Sequence, residues 1–107
     1  MAARQIDWAN DLWRLLAHEL PTRRRLWSNV CEVIGPGKLD PLMQELINVA
    51  ISASNGCPYG IASHGAAARN KGMSETQYSE LLAIVGLPNE NNRLATALAV
   101  PVDARWW

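Results

Sequence analysis

Four consecutive residues, Asn55-Gly56-Cys57-Pro58, do more than any others to limit the folds open to this chain. Asn and Gly tolerate the positive φ at which helices end, and Pro is favoured at the first position of a new helix. A helix stop and a helix start therefore stand back to back, with Cys57 as the cap between them. Upstream, Leu42, Leu46, Val49 and Ala50 recur at helical spacing and predict a buried stripe on a helix over 41–53. Asp40-Pro41 supplies its N-cap and first residue.

Similar punctuation divides the rest of the chain. Asp7 predicts a first helix over 8–20, with Trp8, Leu12, Leu15 and Leu16 on its buried side. Pro21-Thr22 opens a second over 23–34, and Gly35-Pro36-Gly37 is the clearest break in the sequence. The helix that starts at Pro58 should reach Lys71 and stop at Gly72. Ser74-x-x-Gln77 reads as a capping box, which predicts a helix over 75–85 that ends at Gly86. A last helix begins at Asn89 or Glu90 and stops before Pro101. No apolar alternation of strand length survives this parsing. The fold class is all-α, a single domain of five or six helices. Residues 1–36 form Trp-rich leading helices, and residues 37–107 form the core.

A chain of 107 residues buries only part of its surface and gains from association with copies of itself. Ten basic and ten acidic residues cancel, so no nucleic-acid partner is indicated, and Arg23-Arg24-Arg25 reads as a solvated helix face. No apolar run approaches the roughly 20 residues of a membrane span. The amphipathic opening MAARQIDWANDLW lacks a secretory core, which points to the cytoplasm. Two cysteines do not make a disulfide scaffold. Cys31 lies among Leu26, Trp27, Val30 and Ile34 on one stripe and reads as a small core residue. The closing pair Trp106-Trp107 is costly to leave in water and suits a neighbouring subunit.

The residues with chemistry to offer are Glu45, Cys57 and His64. Cys57 at a helix N-terminus is well placed for reaction, because the positive end of a helix favours the thiolate. His64 lies two turns further along the same helix, roughly 10 Å along its axis and beyond direct hydrogen-bonding range. Position 60, one turn from each, is Gly and leaves room for a water or a small ligand. Glu45 sits among apolar residues, so it must be paired, with His64, Arg69 or another base. One His, one Glu and one Cys make a poor metal site. Without a phosphate loop or nucleotide fingerprint, no cofactor is called for.

The arrangement Glu45-x11-Cys57-x2-Gly60-x3-His64 resembles the signature of the carboxymuconolactone decarboxylase and AhpD-like alkylhydroperoxidase family, with Gly60 in place of a second Cys. The likeness extends over about residues 40–103. It takes in the stretch from Pro41 to Tyr59 and the run from His64 to Ser74. In AhpD-like members it implies an all-α fold and a trimer or hexamer. It also implies a dithiol that reduces hydroperoxides with a Glu and a His as proton relay. Glu45 and His64 match the relay and Cys57 the first thiol, while Gly60 rules out a disulfide within the motif.

Three readings follow. Cys57 is oxidised by a hydroperoxide to a sulfenic acid and rescued by an external thiol. Alternatively, His64 and Glu45 act as acid and base on a small lactone or keto acid, as in the decarboxylase branch. In the third reading the chain is a non-catalytic oligomeric module that binds a small molecule.

Overall fold

The computed structural model describes residues 11–35 and 37–107. Their elements are helical, with no strand among them: α1 (Asp11–Leu16), α2 (Leu20–Val33), α3 (Pro41–Asn55), α4 (Pro58–Asn70), α5 (Glu75–Ala97) and a short 3-10 turn at Ala104–Trp106. The all-α expectation holds. The chain divides into two compact units, Met1–Gln44 and Glu45–Trp107.

In the first unit, Trp13 of α1 is buried and meets Trp27 of α2 edge-to-face, with ring centroids 5.4 Å apart and planes at 87°. Such a pair adds about 1 kcal/mol beyond the area it covers. The predicted inward residues Leu12 and Leu15 are instead exposed. A helix of under two turns buries one position well, and the Trp13 ring takes it. Trp8 and the Leu16 side chain lie outside the described residues. Cys31 is exposed, contrary to its placement in a core stripe. The stripe is present in the sequence, but α2 buries no residue at all within a single chain. Asp40 caps α3 as predicted, accepting from the Met43 N–H at 2.9 Å. Gln44 Nε2 donates to the carbonyls of Gly35 at 2.9 Å and Leu39 at 3.3 Å, tying the preceding loop to the helix start.

The second unit is built on small residues. Val49 and Ala68 are fully enclosed and Met73 nearly so. Gly60, Gly65 and Ala68 form the buried side of α4, where the absence of bulk lets backbones approach closely. Gly56 ends α3 at φ 69°, and the Cys57 N–H donates to the Ser52 carbonyl at 2.9 Å, closing the helix end. Gly72, at φ 104°, does the same for α4.

α5 corrects the sequence reading. One helix runs from Glu75 to Ala97, through Gly86 and Pro88, where two were predicted. The capping box at Ser74 forms as expected, with both reciprocal hydrogen bonds to Gln77. Pro88 cannot donate to the turn before it. Asn89 does not open a new helix. Its Nδ2 donates to the Val85 carbonyl at 2.8 Å, and its Oδ1 accepts from Ser54 Oγ at 3.2 Å. The helix ends beyond Leu98, where Ala99 adopts the left-handed φ of 52° and the Val100 N–H returns to the Ala95 carbonyl at 3.0 Å.

Candidate functional site

Glu45, Cys57 and His64 all belong to the second unit, and two of them are in contact. Glu45 projects from α3 with its side chain 3% exposed, and His64 Nδ1 lies 2.8 Å from its Oε2. A carboxylate only accepts, so in this partnership Nδ1 carries the proton, and in the neutral ring Nε2 then keeps its lone pair. The other carboxylate oxygen, Oε1, accepts from Lys71 Nζ at 3.5 Å. Burial of an acid is expensive unless both oxygens are satisfied, and this acid holds an imidazole on one and an ammonium on the other.

Lys71 was not singled out in the sequence, yet the signal was there. It falls seven residues after His64, two turns further along the same face of α4. Arg69, the named alternative, pairs elsewhere: its Nε donates to Glu75 Oε1 at 2.8 Å, and its guanidinium stacks 4.9 Å from the centre of the Tyr78 ring. The hydrogen bond from Arg69 holds the Glu75 carboxyl below the usual range, with the charge of Arg69 acting in the same sense.

Cys57 is the N-cap of α4, as its sequence position predicts. Its Sγ accepts the Gly60 N–H at 3.4 Å, and the residue is exposed. The sulfur thus sits at the N-terminal end of a helix, on a residue that solvent reaches.

The gap anticipated at Gly60 is filled. A Cβ built there would overlap Ser52 Oγ, come within 2.8 Å of Ser52 Cβ and lie 3.6 Å from Cys57 Sγ. The Ser52 side chain on α3 thus rests against the bare backbone of α4 at the point where a residue-60 side chain would project. Ser52 stands seven residues after Glu45, so one face of α3 carries both. Between them, on the same face, Asn48 has its Nδ2 buried without a hydrogen-bond partner. Polar groups of α3 therefore run from the acid–imidazole pair to the thiol end of the site.

Comparison with known proteins decides the family. The sequence pattern of the carboxymuconolactone decarboxylase family matches residues 21–103. The chain belongs to the carboxymuconolactone decarboxylase family. The crystal structure of the alkylhydroperoxidase AhpD core from Rhodospirillum rubrum superposes with a TM-score of 0.91 at 45% identity, covering 98% of this chain and 78% of that one. No curated relative matches. As a carboxymuconolactone decarboxylase family member, the chain has an all-α AhpD-like fold. No helix among its described residues is long and apolar enough to cross a membrane.

Proposed function

We propose that this family member is a thiol-dependent, peroxidase-like enzyme that reduces hydroperoxides at Cys57. The carrying observation is an exposed cysteine at a helix N-cap, its sulfur accepting a backbone N–H, in the same compact unit as a pair between buried Glu45 and His64. The similarity to the alkylhydroperoxidase AhpD core lends further support.

The chemistry balances with one external reagent. The Cys57 thiolate attacks one oxygen of the hydroperoxide, an S–O bond forms, and the O–O bond breaks with its electron pair leaving on the alkoxide. Sulfur is oxidised by two electrons to the sulfenic acid and the peroxide is reduced by two. His64, oriented by Glu45, takes the thiol proton at Nε2 and returns it to the alkoxide. Two turns of α4 separate the groups, so the proton travels by way of ordered solvent. An external thiol then condenses with the sulfenic acid, expelling water and forming a mixed disulfide. A second external thiol releases Cys57 and departs as a disulfide.

Assembly belongs to the same proposal. Leu82, Ile84, Leu87, Leu94 and Leu98 of the α5 region are exposed, and Trp106 and Trp107 are 66% and 91% exposed. Apolar surface of this extent marks a contact. The partner we propose is further copies of this chain, as a trimer or hexamer.

Cumene hydroperoxide consumption with dithiothreitol, in a Cys31→Ser background, tests the activity. Cys57→Ser should abolish it and His64→Ala should slow it by about 10²-fold. Activity retained by Cys57→Ser and lost by His64→Ala would instead establish proton-transfer chemistry that needs no thiol.

A further inference from the structure

The side chain lodged over Gly60 carries a hydroxyl, and the Cys57 sulfur flanks the same point of the backbone. We propose that Ser52 donates a hydrogen bond to the oxygen being transferred to Cys57, and that the Asn48 amide is a second donor to the bound hydroperoxide. This deepens the peroxidase-like reading and rests on it.

Two independent observations converge. The point where a residue-60 Cβ would stand is overlapped by the Ser52 side chain and lies 3.6 Å from Cys57 Sγ, so the hydroxyl and the sulfur flank the same point of the α4 backbone. The Cys57 N–H bond to the Ser52 carbonyl fixes the two residues' backbones to each other at 2.9 Å. One turn earlier on α3, Asn48 Nδ2 is buried and unpaired. Folded proteins rarely leave such a donor orphaned, and one beside a candidate site asks for an acceptor from a ligand. Ser and Asn are both neutral donors, suited to the oxygens of a hydroperoxide and to the negative charge that develops as the O–O bond breaks.

In the step itself no bond to Ser52 forms. The sulfur takes one oxygen, the alkoxide leaves with the O–O electron pair, and Ser52 O–H and Asn48 N–H hold those oxygens throughout. After transfer, the Ser52 hydroxyl remains bonded to the sulfenic acid oxygen. Without a thiol at position 60 to condense with it, that acid then awaits the external reductant.

The test uses the full chain carrying Cys31→Ser, with hydrogen peroxide as oxidant and dimedone as the sulfenic acid trap, read by intact mass. Iodoacetamide alkylation of Cys57 runs in parallel. Ser52→Ala should slow adduct formation about tenfold, the loss expected when one transition-state hydrogen bond is removed, while alkylation stays within about twofold. Asn48→Ala should slow it likewise and raise the thermal midpoint. Should Ser52→Ala form the adduct as fast as its parent, or should alkylation fall in step with oxidation, Ser52 is a packing residue and the inference is wrong. A parent that alkylates yet yields no adduct at any peroxide concentration overturns the peroxidase-like reading together with the inference.

Discussion

Glu45 carries the heaviest electrostatic duty of any described residue, since its carboxylate is nearly sealed from water and answers to both His64 and Lys71. Its removal leaves an imidazole and an ammonium facing a void. Glu45→Ala should therefore cost about 3 kcal/mol, as breaking an interior ion pair from one side does. Glu45→Gln, which keeps the shape and one acceptor, should cost clearly less in a urea melt. An equal loss for both would mean that packing, not charge, holds the position. A buried Glu at this place was legible in the sequence, because an acid surrounded by Leu46, Ile47 and Val49 demands a partner. The choice of Lys71 over Arg69 was not. Both lie on α4 or its cap, and only the rotation of that helix against α3 decides which of them faces the acid.

Among the elements, those specified by local chemistry were readable and those decided by distant contacts were not. Cys57 as a cap, Asp40 before Pro41, and the Ser74–Gln77 box each involve residues within a turn of one another, and all three form. α5 defeated the same logic, because Gly86 and Pro88 carry the marks of a break. Just past the proline, Asn89 bonds backward through its amide while its carbonyl oxygen accepts from a hydroxyl on α3. A partner 35 residues away in sequence leaves no local trace. Asn89→Ala should thus cost about 1.5 kcal/mol in a urea melt, two modest hydrogen bonds. Alanine at exposed Asn92 should cost almost nothing, and matching losses would deny Asn89 its role. Ser52 escaped notice for a related reason: a serine on a helix looks ordinary until another helix presents a glycine to it.

For the whole molecule, the exposed apolar surface is the dominant fact. Leu26, Trp27 and Cys31 on α2 read as a core stripe, yet in one chain they face water, as do Leu82, Ile84, Leu87, Leu94 and Leu98 and the closing Trp pair. Pattern alone reports that a face wants cover without reporting what supplies it. If copies of the chain supply it, Leu94→Glu with Trp107→Ser should shift the mass in light scattering to that of a single 11.8 kDa chain. Midpoints of thermal unfolding for the parent should also rise with protein concentration, as assembly requires. A monomeric parent would sink the assembly proposal outright.

The meeting of Ser52 with Gly60 also has a bearing on ancestry. Adding a cysteine at position 60 while Ser52 remains would drive its Cβ into that side chain, and trimming Ser52 to alanine removes the overlap with Oγ but leaves a Cβ 2.8 Å away, so the two helices must still shift. Ser52→Gly removes both contacts. A path between a one-thiol and a two-thiol version of this site therefore has a preferred direction of travel, with position 52 changing before position 60 on the way to two thiols and after it on the way back. The two positions are thus coupled, and a change at either is read against the residue at the other.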